Sequence, residues 1–290
     1  MTEKQSGQRF SAWRITRFFL VVYAGLVILM GCFQRSYIYY PATDDFSRLE
    51  AAAEREGYVP WRLADGDAAG WRPAERGDGP RMVVFHGNAG HALYRTYYPR
   101  LLSWASEGED WEVLLFEYPG YGAREGRPSE QVFVEAALAA VDALREEEPD
   151  RPLYLLGESL GSGVAGWMAG ERPGKIDGLL MVTPFTSLAA VGSAHFPFLP
   201  VRLLLRDRYH TAEHLRAYSG PMAVLLAAED RVVPARLGRE LYEGYDGPKR
   251  LWELEGADHN TLFDRTGSEL WEEILGFLGN GNGEGGEEVN

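Results

Sequence analysis

Six short apolar runs, separated by stretches with helical spacing, constrain this chain more than any other feature. They are MVVFHG (82–87), VLLFEYPG (113–120), PLYLLGES (152–159), IDGLLMVTP (176–184), MAVLLAAED (222–230) and RLWELEGAD (250–258). Runs that are apolar at nearly every position fit strands buried on both faces, as in a parallel sheet. Between them, Ser129 is placed to cap a helix over QVFVEAALAAVDALREEE. In that helix Val132, Val134, Ala137, Leu138 and Val141 recur at helical spacing, while the acids and Arg145 face water. Residues 91–107, 160–171, 235–243 and 268–278 read as helices in the same way. Alternating β and α units predict an α/β fold: a mostly parallel central sheet flanked by helices. At 290 residues and 45% apolar, the chain can bury one large core. Residues 58–73 supply two antiparallel edge strands around Asp65-Gly66-Asp67. The excursion 184–218 is too long for a turn and rich in apolar side chains, the character of a lid or pocket wall. There is no internal repeat.

The chemistry concentrates at the ends of the predicted strands. Gly157-Glu158-Ser159-Leu160-Gly161 is a G-x-S-x-G pattern that follows the buried run PLYLL and opens a helix. In that setting the serine sits on a sharp turn, where flanking glycines avoid clashes and Oγ lies near a helix N-terminus. A serine hydroxyl needs a base to take its proton. Asp230 ends LLAAED and His259 lies in EGADHN, so Ser159, Asp230 and His259 all fall at strand C-terminal ends, where parallel sheets build their sites. The roles follow: Ser159 as nucleophile, His259 as general base, Asp230 orienting that base. Glu229 would point the other way, and Asp258 is too close to His259 in sequence to orient its ring. His86-Gly87-Asn88-Ala89-Gly90, after the strand MVVF, supplies an oxyanion-hole donor in the N–H of Asn88, alongside the N–H of Leu160. His86 is assigned a structural role.

An uncharged apolar run, FFLVVYAGLVILMGCF (18–33), follows Lys4, Arg9, Arg14 and Arg17. At ~1.5 Å per residue it spans somewhat less than the roughly 30 Å hydrocarbon layer. Trp13, Tyr37, Tyr39 and Tyr40 can extend the anchor into the interface. Cations on the N-terminal side put the N-terminus in the cytoplasm and the rest outside. Two readings compete: an uncleaved signal anchor, or a signal peptide cleaved before Cys32, since Leu29-Met30-Gly31-Cys32 resembles a lipoprotein cleavage site. A buried core helix is the third reading, against which the clustered cations and the lack of an amphipathic stripe both argue. The single cysteine, Cys32, allows no internal disulfide.

The formal net charge of −14 sets the chain against a phosphate backbone, so nucleic acid is not an expected partner. Part of that charge lies in a Gly-rich tail, 280–290, expected to be disordered. The expected organisation is an n-region (1–17), the membrane or signal segment (18–33), a connector (34–56), a catalytic domain (57–279) and the tail. Two motifs carry bland readings. Gly161–Gly166 matches G-x-G-x-x-G, but no acidic residue closes a second strand ~20 positions on. His210 and His214 have the spacing of some zinc sites without a convincing third ligand. The cluster Glu146–Glu148 reads as a solvated helix end. No cofactor or metal is called for.

FHGNAGH (85–91), FEYPGYGAREGRPSE (116–130), GESLGSGVA (157–165), TPFTSL (183–188) and EDRVVP (229–234), with the membrane segment and FQRSYIYYP (33–41), carry a resemblance. Together they resemble the α/β-hydrolase superfamily, in particular Bem46-like proteins and the membrane-associated ABHD13 and ABHD17 types. The resemblance runs from about residue 18 to 278. It implies the α/β-hydrolase fold, the triad Ser159, Asp230 and His259, and an oxyanion loop at His86–Gly90. Asp258 stands where that group commonly has Gly, and Thr261 where it commonly has Asp. The implied activity is hydrolysis of acyl esters or thioesters, with a small-molecule or lipid-like acyl substrate. A catalytically silent binding module and a serine aminopeptidase-like peptidase stay open beside it.

Overall fold

The computed structural model of the protein describes residues 3–106 and 110–280. The apolar runs form strands, and with the two edge strands they build one eight-stranded sheet: β1 (Tyr58–Arg62), β2 (Ala68–Pro73), β3 (Arg81–Phe85), β4 (Glu112–Phe116), β5 (Leu153–Glu158), β6 (Gly178–Val182), β7 (Met222–Ala227) and β8 (Lys249–Leu254). The strand order is β8-β7-β6-β5-β3-β4-β2-β1. All neighbours pair in parallel except β1 with β2 and β2 with β4, so β2 alone runs against the rest.

The sheet shows why these runs lack alternation. Along β3, Val83 and Phe85 join the core on one face, and Met82 and Val84 join it on the other. Leu153 and Leu155 against Tyr154 and Leu156 repeat the pattern on β5. Each such side chain contributes roughly 1.5–3 kcal/mol by leaving water. Helices α4 (Glu130–Glu147), α5 (Leu160–Glu171) and α9 (Ala235–Glu243) cover one face; α2 (Phe46–Arg55), α3 (Tyr97–Ala105) and α10 (Ser268–Asn280) cover the other. Ser129 accepts a hydrogen bond from the Val132 N–H at 3.3 Å, the cap expected from the sequence.

The apolar segment is one helix, α1 (Glu3–Ile38), which runs through Cys32 without a break. Trp13–Ile38 is long and apolar enough to cross a membrane, and none of its most apolar window is buried. Residues 34–56, expected only to connect, do more. Tyr40–Pro41 pairs with Ala89–Gly90, and α2 sends Leu49 and Ala53 into the core. The excursion becomes α6 (Leu188–His195), α7 (Val201–Leu204) and α8 (Thr211–His214), followed by a 3-10 turn. The tail after Asn280 lies outside the described residues.

The glycines of the 161–166 motif are packing devices. A Cβ at Gly161 would collide with the Phe85 carbonyl, one at Gly163 would meet the Tyr209 ring at 2.8 Å, and one at Gly166 would meet Thr211 at 2.8 Å. They let α5 lie flush against β3 and α8. His214 stacks on Trp167, ring centroids 4.0 Å apart, and burial lowers its pKa. Gly161→Ala is therefore expected to destabilise the fold by about 1–3 kcal/mol, read as a lowered melting temperature.

At the opposite end of the strands the acidic cluster is not simply solvated. Glu112, fully buried, receives Arg81 at 2.7 Å, Arg72 at 2.6 Å, Arg151 at 2.8 Å and Arg76 at 3.0 Å. Glu147 and Glu148 close the lattice, each 3.1 Å from Arg81.

Candidate active site

Ser159 occupies the turn between β5 and α5 with φ 52° and ψ −115°, a left-handed conformation that costs a side-chain-bearing residue of order 1–3 kcal/mol. Three contacts hold it there. Its N–H donates to the Val182 carbonyl at 2.9 Å, and its own carbonyl accepts the Ser162 N–H at 2.9 Å and the Ser162 hydroxyl at 2.6 Å. A Cβ at Gly157 would lie 2.6 Å from the Gly161 carbonyl oxygen, so the turn closes only around bare backbone.

A further brace was not visible in the sequence. Glu158, inside the turn, receives the Arg95 guanidinium at 2.5 and 3.0 Å and the hydroxyls of Tyr97 and Tyr98 at 3.2 Å. Burial pushes the Glu158 carboxyl up, and the Arg95 charge outweighs it, so the net pKa lies below the ordinary value. The bidentate pair fastens the turn to the segment that follows the 86–90 loop.

Asp230 and His259 meet on the loops after β7 and β8. His259 Nδ1 lies 2.6 Å from Asp230 Oδ2, and Asp230 Oδ1 accepts the N–H groups of Val232 and Val233, each at 2.7 Å. The carboxylate thus has both oxygens satisfied and is almost fully buried. Among the described residues no hydrogen bond joins the Ser159 hydroxyl to His259. The turn carrying His259 explains two of its unusual residues. Asp258 Oδ1 accepts the N–H groups of Asn260 (2.9 Å) and Thr261 (3.0 Å), and Thr261 Oγ1 accepts the Asp258 N–H at 3.1 Å. These backbone bonds lower the Asp258 pKa. Asp258 therefore shapes the histidine loop from the solvent side. Asp258→Asn, which keeps an acceptor for the turn, is expected to leave kcat unchanged, whereas Asp258→Ala lowers it; steady-state kinetics of the pair separates the two.

Asn88 is the most heavily tethered residue of its loop. Its carbonyl accepts the Tyr40 N–H at 2.9 Å and the Tyr121 hydroxyl at 2.7 Å, and its side-chain amide donates to the Ile38 carbonyl at 2.8 Å. His86 is buried, with Nδ1 2.8 Å from the Gly87 carbonyl and Nε2 3.4 Å from Glu117, consistent with its structural assignment.

Ser159, Leu160 and Asn88 line one cavity of about 250 Å³. Its remaining walls are mostly apolar, with the polar side chains of Gln34 and His195 among them. Phe185, Leu188, Val191, Phe196, Leu199 and Leu204 come from the excursion, Val232 and Val233 from the Asp230 loop, and Met30, Gly31 and Gln34 from α1. The excursion is thus a pocket wall. The participation of α1 had no signal in the sequence.

Comparison with known proteins gives a consistent answer. A family model described as the alpha/beta hydrolase fold matches residues 80–200. An uncharacterised protein of Mycobacterium tuberculosis is 35% identical over 277 residues, covering 93% of this chain and 96% of that protein. The lysophosphatidylserine lipase ABHD12 of Rattus norvegicus is 32% identical over 201 residues. That match covers 63% of this chain and 50% of the relative, so the chain aligns with half of the relative's length. Among solved structures, an esterase of Pyrococcus furiosus superposes with a TM-score of 0.61 at 18% identity. It covers 85% of this chain and 98% of its own, a likeness of fold.

Proposed function

Because this chain belongs to the α/β-hydrolase superfamily, we propose that it is a membrane-tethered serine hydrolase cleaving acyl esters or thioesters through an acyl-serine at Ser159. The observation that carries the reading is a strained serine at the wall of an apolar cavity, on a fold that also presents a carboxylate-bound imidazole. With Nδ1 committed to Asp230, the His259 Nε2 is the nitrogen left to accept the Ser159 proton. Oγ attacks the acyl carbon, and the oxyanion is held by the N–H groups of Asn88 and Leu160. The Leu160 N–H belongs to the first turn of α5, where no intrahelical acceptor exists. One such donor contributes roughly 3–4 kcal/mol to the transition state. The leaving alcohol or thiol departs with the proton from His259. Water then gives a proton to His259 and its oxygen to the acyl carbon, and Ser159 is released reprotonated.

The apolar walls favour an acyl chain over a charged or peptide substrate, and a relative named as a lysophosphatidylserine lipase agrees with that choice. For the tether we favour an uncleaved anchor with the domain on the extracytoplasmic side. Cleavage before Cys32 would remove Met30 and Gly31 from the cavity wall. A diacylglyceryl mass on a mature N-terminal Cys32, found by mass spectrometry, overturns that choice. The hydrolase reading is tested with a fluorophosphonate probe on the full-length protein. Stoichiometric labelling of Ser159 is expected, and a folded wild-type protein that stays unlabelled indicates a silent binding module instead.

A further inference from the structure

At the outer edge of the cavity wall the excursion runs beside α1. The Tyr23 hydroxyl donates to the Phe198 carbonyl at 2.8 Å. Gln34 Nε2 donates to the Leu204 carbonyl at 3.2 Å, and its Oε1 accepts the Arg206 N–H at 2.7 Å. Arg35 pairs with Asp207 at 2.8 and 3.0 Å. The edge therefore follows α1 from Tyr23 to Arg35, about 18 Å of helix at ~1.5 Å per residue. Tyr23 lies ten residues before the end of the apolar run, so Phe198 sits ~15 Å below that end. If α1 spans the bilayer, this edge lies at hydrocarbon depth.

Its surface and its backbone both suit that depth. Phe198 is 88% and Leu203 81% exposed, and they lie beyond the cavity-lining residues, facing outward. Pro197 and Pro200 have no N–H to satisfy. The amides of Leu199, Val201, Leu203, Leu204 and Leu205 are bonded within the segment, and α1 side chains satisfy the Phe198 and Leu204 carbonyls. In hydrocarbon each unpaired backbone group costs several kcal/mol, so a segment with most of its amides bonded internally suits lipid contact better than an open loop. Arg202, Arg206 and Arg208 are exposed around it, suited to reach phosphate headgroups in a chain that is otherwise acidic.

We propose that this edge, carrying Phe198 and Leu203, inserts into the leaflet beside α1, and that a single-chain acyl lipid passes sideways from the bilayer into the Ser159 cavity between α1 and the excursion. The inference rests on the anchor and hydrolase readings above and deepens them: the substrate is drawn from the membrane phase rather than from water.

The test uses the full-length protein in phosphatidylcholine vesicles. A fluorophore is placed at Phe198→Cys in a Cys32→Ser background. Quenching by acyl-chain doxyl lipids and shielding from aqueous iodide are expected. Quenching by iodide and not by doxyl lipids overturns the proposal, whatever the protein's catalytic activity. In the second arm, Phe198→Asp with Leu203→Asp is expected to lower turnover of a vesicle-embedded long-chain monoacyl ester by about tenfold or more. Turnover of a water-soluble short-chain ester stays at the wild-type level. Equal loss on both substrates, or on neither, overturns lateral entry. A wild-type protein inert towards both esters refutes the hydrolase reading, while the fluorophore still reports insertion.

Discussion

The Ser159→Ala variant is expected to lose turnover by about a millionfold while its melting temperature stays within a few degrees of wild type. The fold should barely notice the change. Alanine keeps the Cβ, so the left-handed backbone at φ 52° carries the same strain, and the two backbone bonds at the turn survive. Only the proposed nucleophile is removed. Asp230→Asn gives a graded companion result, a fall in kcat of about 10⁴. The Val232 and Val233 amides dictate which way an asparagine would sit. Its oxygen stays with those two N–H donors, and its NH2 group turns towards His259 Nδ1. That forces the imidazole into the tautomer with the proton on Nε2, which cannot accept from Ser159. Steady-state kinetics on a soluble ester measures both. A Ser159→Ala protein with more than a trace of wild-type turnover removes the proposed mechanism.

The largest expected effect on stability lies at the other end of the sheet. Glu112→Gln should cost about 3 kcal/mol, the lower end of the range for breaking a buried ion pair. Arg81, 1% exposed, would lose its 2.7 Å partner inside the core, although Glu147 and Glu148 remain beside it. Replacing both partners, Glu112→Leu with Arg81→Met, should cost much less than the sum of the single changes. Denaturant titration at neutral pH reads these differences. The same carboxylate sets an acid limit. Burial alone would push its pKa up, but hydrogen bonds from Arg72 and Arg81 hold it down at about 2, against an ordinary value of 4.5. Its contribution, about 3 kcal/mol, is therefore complete above pH ~4.5 and is lost as pH falls from there towards 2. The Gln variant should lose less stability than wild type across that window.

What the sequence made legible was local. Runs such as MVVF and LLMV announce strands because both faces must be apolar, and the elbow declares itself because only glycine fits beside Ser159. Strand ends were overrun, as at His86 and Glu117, because the chain stays buried past the last ladder residues Phe85 and Phe116, so no composition change marks where pairing stops. Contacts distant in the chain were not legible. Arg95 and Glu158 are 63 residues apart, and Tyr23 and Phe198 are 175 apart. No period or spacing links them. The reciprocal turn of Asp258 and Thr261 was within reach, since an acid three residues before a hydroxyl is a local signal.

The way α1 is fastened has a mechanical consequence. A lone anchor meets a thicker or thinner bilayer by changing its inclination. This helix is bonded to the globular body at Tyr23, Gln34, Arg35 and Ile38, so it has no independent freedom to lean. Under the proposed anchoring, an adjustment to bilayer thickness would rock the whole molecule or pull on Asn88. With α1 in a bilayer as proposed, a protein built this way would register the surrounding lipid composition as a force on the loop that carries Asn88.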